Sequence, residues 1–142
     1  MRTLLTLLRI IAVVAFAVAF VATWRALSST GMPNPDGMDP DVLWWYTNQD
    51  DIRQAGLAIL VVGLVTMLVP VMLVTVAGAV AVGAYAWIVD SSPAFDVEQP
   101  VAWWGFAAAL LAIAVVRGVV RRRRHGSPST GPGVSGGYTP PA

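Results

Sequence analysis

Long apolar stretches alternate with short polar segments along this chain. The longest apolar stretch runs from Gln54 to Val89 and contains no Asp, Glu, Lys, Arg or His. As one straight helix it would measure about 54 Å, whereas the hydrocarbon core of a bilayer is about 30 Å thick. Pro70 lies in the middle, removes a backbone donor and leaves the carbonyl of Thr66 without its helical partner. The pattern therefore predicts a hairpin of two spans, about 52–69 and 71–89.

Two further apolar stretches predict spans at about 6–27 and 101–120. In the first, Arg2 and Arg9 precede an apolar run, and Ala17-Val18-Ala19 would suit a signal-peptide cleavage site. The apolar sequence continues beyond that site to Trp24, so we predict an uncleaved membrane anchor. Small residues recur at helical spacing in three spans, which predicts faces that pack against other helices: Ala12, Ala15, Ala19, Ala22 and Ala26; Ala77, Ala81 and Ala84; Gly105, Ala109 and Ala112.

The polar segments predict two external loops, 28–51 and 90–100, and a tail. Asp39, Pro40 and Asp41 resemble a helix start before an aromatic-rich run, which favours a short interfacial helix. Asp50 and Asp51 are placed to cap the helix that follows. Residues 126–142 are nearly all Gly, Ser, Thr and Pro, a composition typical of a disordered tail.

The arginines indicate the topology, because Lys and Arg in short loops remain in the cytoplasm. Arg2 and Arg9 place the N-terminus there, and Arg117 with Arg121–Arg124 place the C-terminus there too. Both ends inside require an even number of crossings, so we predict four. A re-entrant hairpin that turns back inside the membrane remains an alternative, because no polar loop surrounds Pro70.

Composition agrees with a membrane protein of one compact bundle, residues 1–125. The 142 residues are 56% hydrophobic and 12% charged, with a mean hydropathy of +0.67. Cysteine is absent and His125 is the only histidine, which argues against disulfides and His- or Cys-based metal and haem sites. All nine basic residues are arginine, a bias typical of a high-GC bacterial genome, and we predict a multi-pass protein of the cell membrane without a cofactor.

Few residues suggest catalysis or transport. The external acids show no calcium-loop pattern, and no nucleophile or histidine accompanies them, so we expect neither a metal site nor an enzyme. Ionisable groups are absent from the hairpin, where a coupled carrier would normally place them. Only Thr66 and Thr75 interrupt its apolar core, although Pro70 and the nearby glycines could mark a broken-helix substrate site: Gly63, Gly78 and Gly83.

Two surface features remain as candidate sites. Arg121, Arg122, Arg123 and Arg124 favour contact with anionic lipid rather than nucleic acid, because no aromatics are interleaved and a span precedes them. The external aromatics favour contact with a partner protein or a lipid, with an ordinary interfacial belt as the alternative. The candidate contact residues are Trp44, Trp45, Tyr46, Trp103 and Trp104.

These features together predict an all-α bundle of four transmembrane helices that acts as an accessory, scaffolding or assembly component of a membrane complex. Its expected partners are membrane lipids and another protein or a second copy of the chain. The main alternative is a small carrier or channel, and a weaker one is a lipid-modifying enzyme. A dry bundle interior would favour the accessory role, and a water-filled interior lined by polar groups would favour the carrier.

Overall fold

A computed structural model describes residues 1–29, 34–126 and 141. This part of the chain is all-helical, without strands, and contains five helices: α1 (Arg2–Ser29), α2 (Pro40–Thr47), α3 (Gln49–Leu68), α4 (Met72–Asp90) and α5 (Pro100–Gly126). Four of them, α1, α3, α4 and α5, are long and apolar enough to cross a membrane, as in a multi-pass membrane protein. The predicted disordered tail lies outside the described residues apart from Gly126 and Pro141.

Helix boundaries follow from local backbone chemistry. α3 ends at Leu68 because Pro70 cannot donate a hydrogen bond and forces Val69 into an extended conformation, with φ −77° and ψ 125°. The predicted capping of α3 by Asp50 and Asp51 was wrong. Asn48 is the N-cap, and the two acids lie in the first turn, where carboxylates interact favourably with the helix dipole.

The four long helices form a ring. α1 packs against α3 and α5, and α4 packs against the same two helices. The centre of the ring is fully buried and apolar. It contains Leu60, Val82, Phe106, Leu110 and Ile113.

Small residues allow the helices to approach closely, as the sequence predicted for α1, where Ala12, Ala19 and Ala26 are buried. The predicted face of α4 was wrong, since Ala77 and Ala84 are exposed. α4 is rich in small residues on every side, so their spacing could not single out one face. Its buried residues are Thr75, Gly78, Ala79, Val82, Ala86 and Val89.

The bundle has two chemically different ends. We call one the arginine end, because it holds the start of α1, the turn at residues 69–71 and the end of α5 with Arg117 and Arg121–Arg124. Hydrogen bonds from Arg117 to residues beside the turn, and a cavity that Leu5 and Arg124 share, bring these segments together. The opposite end, with α2 and the connector 91–99, is the aromatic end.

Candidate functional site

Phe95 organises the surface of the aromatic end. Its ring lies 6.1 Å from that of Trp45, nearly perpendicular to it, and 6.3 Å from that of Tyr46. The Tyr46 hydroxyl donates a 2.6 Å hydrogen bond to the carbonyl of Ala94. These contacts fix the short helix α2 to the connector between α4 and α5, so α2 is held as part of the bundle.

The buried side chain of Arg53 contacts the same cluster from the bundle interior. Its guanidinium lies 4.8 Å from the centre of the Phe95 ring, and Nη2 is 3.7 Å from a carboxylate oxygen of Glu98. Nη1 also donates to the side-chain carbonyl of Gln49 at 3.4 Å. Arg53 is only 5% exposed, so the aromatic face, the amide and the carboxylate together compensate for the lost hydration of the cation.

The connector is also ordered by its own hydrogen bonds. The backbone N–H of Val97 donates to Oδ1 of Asp90 at 3.0 Å, and the Ser92 hydroxyl donates to the carbonyl of Phe95 at 2.6 Å. Asp90 therefore has a structural role at the end of α4. Sequence analysis missed Phe95 and Arg53 as organising residues, because neither belongs to a motif and the partners that join them to other elements lie far away in the chain.

The structure does not bring the five predicted contact residues together on one surface. Trp44 is 57% exposed and borders an open cleft of about 260 Å³ that Trp45 also lines, while Tyr46 lies in the Phe95 cluster. Trp103 is fully buried and stacks on Tyr85 at 4.9 Å. Trp104 lies against Gly83 of α4. Trp103 is therefore part of the core and does not belong to the exposed surface.

A very small polar cavity lies beneath this surface. Thr23 Oγ1 and Trp103 Nε1 are buried without a hydrogen-bond partner in the described part of the chain, and both residues line a cavity of about 10 Å³ together with Arg53. This volume is near the minimum for one water molecule. A solute the size of a metabolite does not fit.

The arginine end contains a second polar network, around the turn. Pro70 leaves the Thr66 carbonyl without its helical donor, and the Thr75 hydroxyl donates to that oxygen at 3.1 Å. Arg117 donates from Nη1 to the Val69 carbonyl at 2.8 Å and to Thr75 Oγ1 at 2.9 Å. Its Nη2 donates to the Met67 carbonyl at 2.6 Å. Thr75 and Arg117 thus satisfy the backbone where α3 and α4 meet, whereas the Thr66 hydroxyl donates to the Gly63 carbonyl within α3 at 2.7 Å.

The glycines that could have marked a substrate site lie within continuous helices. A Cβ atom on Gly78 would collide with the side chain of Thr66, and one on Gly63 would lie 2.9 Å from Val82 Cγ2. Gly63 and Gly78 therefore serve close packing of α3 against α4, whereas Gly83 makes only ordinary contact with Trp104. Within the described residues, no group of three or more His, Asp or Glu side chains is arranged to hold a metal ion.

Comparisons with known proteins give no relative for this chain. It matches no protein-family model, no curated protein sequence and no solved structure. The assignment of its function therefore rests on its own residues.

Proposed function

We propose that this chain is a small integral membrane protein that acts as an accessory or scaffolding component, contacting a partner through the exposed part of its aromatic end. In this proposal both termini are cytoplasmic and the aromatic end faces outward. The charge distribution supports the orientation. All eight acidic residues lie at the aromatic end, where Arg25 and Arg53 are the only arginines, and the remaining seven lie toward the arginine end, as expected for the cytoplasmic side.

The position of the turn at Pro70 supports a hairpin that crosses the membrane completely. Pro70 and Val71 are exposed on the bundle surface, and irregular backbone facing lipid is not tolerated within the hydrocarbon region. At about 1.5 Å per residue, α3 and α4 are about 30 Å and 28 Å long, which matches the apolar thickness of a bilayer. The turn would then lie at the membrane surface beside the end of α5.

Trp44 is the observation that carries the proposed contact function. A large apolar ring more than half exposed stands on a helix that Tyr46, Phe95 and Ala94 hold in place. An anchored helix loses little conformational freedom when a partner binds, and tryptophan is among the residues that contribute most at interfaces. The cleft beside Trp44, which Asp41 and Pro93 also line, offers a place for a partner side chain.

The packing of the interior gives little support to the carrier alternative. Arg53 at one end and the Arg117 network at the other are separated by the apolar centre of the ring. Arg53 and Arg117 both form internal hydrogen bonds, the Thr75 hydroxyl donates at the turn, and the Thr66 hydroxyl donates to the Gly63 carbonyl within α3. An apolar bundle centre without a water-filled path favours the accessory role over the carrier.

The test compares Trp44→Ala with Trp87→Ala, each in the full chain and purified gently from the native membrane. Trp87 is the matched control, because it is 65% exposed but lies on α4 rather than on α2. A central interface tryptophan contributes about 2 kcal/mol or more, so Trp44→Ala should weaken partner binding by about thirtyfold. The recovery of a co-purifying partner should therefore fall sharply with Trp44→Ala and stay unchanged with Trp87→Ala. Both variants should insert at wild-type levels.

Equal recovery of the same components with wild type and Trp44→Ala would contradict the contact function. An equal loss with both variants would instead indicate a general interfacial belt. Trp44→Phe separates ring contact from indole hydrogen bonding, and we expect it to keep most of the recovery.

A further inference from the structure

Two neighbouring cavities open on the arginine end of the bundle. The larger, about 410 Å³, lies between the start of α4 and the end of α5 and has an apolar floor that includes Val115, Gly118 and Val119. Arg121 and Arg122 form its rim. The groove therefore changes from apolar to cationic over about two helical turns.

The second cavity, about 310 Å³, lies on the other side of a ridge. Met72, Arg121 and His125 line both cavities, and Leu5 of α1 and Arg124 contribute to the second one. The ridge formed by these three shared residues thus places the guanidinium of Arg121 and the imidazole of His125 between the two cavities. This arrangement is an amphipathic double groove at the end of a membrane bundle.

We propose that this double groove binds a membrane phospholipid with an anionic headgroup. One acyl chain lies along Val115 and Val119, and the headgroup phosphate lies against Arg121 and Arg122. Guanidinium groups form short, strong, often bidentate hydrogen bonds to phosphate oxygens. Basic pockets beside transmembrane helices at the cytoplasmic side suit such headgroups.

The combination of a cationic rim and an apolar floor favours an anionic phospholipid over a nucleic acid. A nucleic-acid strand would require aromatic stacking platforms along a basic groove, and Arg121–Arg124 are not interleaved with aromatics. Arg117 also lines the second cavity, but it already donates three hydrogen bonds to Met67, Val69 and Thr75, so the proposal assigns the phosphate to Arg121 and Arg122. The site also does not rest on the proposed contact function, because Trp44 lies at the opposite end.

The charge test uses native mass spectrometry of the full chain in a neutral detergent, titrated with phosphatidylglycerol or with phosphatidylcholine of the same acyl chains. We expect one phosphatidylglycerol to be retained at least about tenfold more tightly than phosphatidylcholine. Replacing Arg121 and Arg122 by Gln together should remove this preference, because each arginine should contribute about fivefold or more to the affinity for phosphatidylglycerol. The matched control is Arg2→Gln with Arg9→Gln, which removes two exposed charges at the same end that line neither cavity. It should change binding by less than about twofold.

The groove test uses Val115→Trp, which should weaken binding of both lipids by filling the floor. Leu73→Trp is its control, since Leu73 is exposed near the same end of α4 but lines neither cavity. If the double variant is unstable, Arg122→Gln alone still tests the site, because Arg122 is exposed and its replacement should not affect folding.

Equal loss of phosphatidylglycerol in both arginine pairs would overturn the site in favour of diffuse attraction. Full competition by glycerol phosphate, which has no acyl chain, would overturn the lipid as occupant. A strong preference in wild type that disappears only when a groove arginine is replaced supports the proposal.

Discussion

At the scale of single residues, polar side chains in this protein mainly complete the hydrogen bonding of the backbone where helices stop. The partly buried Arg117 reaches three oxygen atoms around the turn after α3. The sequence correctly identified the Thr66 carbonyl as unsatisfied by the helix, because the missing donor of Pro70 is a local property. It could not identify Arg117 as a partner of the turn, since nearly fifty residues separate them and the arginine fitted a purely topological role.

Replacing Arg117 by Met should destabilise the bundle. The substitution keeps an apolar stem but removes the charged donor of the partly buried Met67 and Val69 carbonyls, and a hydrogen bond to a charged group contributes about 1.5–3 kcal/mol. We expect a loss of at least about 2 kcal/mol, seen as a lower midpoint of thermal unfolding in detergent. Arg2→Met is the control, because Arg2 is exposed at the same end of the bundle, and it should leave the midpoint within about 1 °C. An unchanged midpoint in Arg117→Met would show that water replaces the guanidinium without cost.

At the scale of elements, the four long helices were predictable and their mutual faces were only partly so. Hydropathy and Pro70 located the spans, because both act within a single segment. On α1 the small residues form one narrow stripe, and three of them are buried as predicted. On α4 small residues occur all round, and the buried face is selected by contacts with another helix, above all Gly78 against Thr66.

Gly78→Ala and Gly83→Ala should therefore differ, although both lie on α4. A Cβ atom at position 78 collides with Thr66, a β-branched residue with little rotamer freedom, and overpacking of this kind costs about 1–3 kcal/mol. At position 83 the nearest atom is 3.7 Å away on Trp104, which is ordinary contact. Thermal unfolding of both variants should show a clear loss for Gly78→Ala only, and equal midpoints would mean that α3 and α4 separate without cost.

At the scale of the whole molecule, chemistry divides between the two ends. The arginines at both ends of the sequence predict four crossings, and with four crossings the tryptophans are predicted on the side opposite to the termini. It could not show that Trp103 is core and Trp44 is surface, because every aromatic residue near a helix end has the same sequence signature. Tertiary packing determines the difference. Trp103 is covered by other helices and stacks on Tyr85, whereas more than half of the Trp44 side chain is left exposed.

The orientation of the two ends is the central claim, because the proposed contact surface must lie outside and the cationic groove inside. The chain has no cysteine, so single cysteines can be labelled without background. Ser91→Cys marks the aromatic end, Val71→Cys marks the turn, and Gly126→Cys marks the end of α5, where a side chain meets no neighbour within 4 Å.

The decisive measurement is labelling of these three variants with a membrane-impermeant thiol reagent, before and after the membrane is permeabilised. We predict that Ser91→Cys reacts in intact cells, and that Val71→Cys and Gly126→Cys react only after permeabilisation. Protection of Val71→Cys under both conditions would contradict a hairpin that crosses completely. Labelling of Gly126→Cys in intact cells, with Ser91→Cys protected, would contradict the orientation itself.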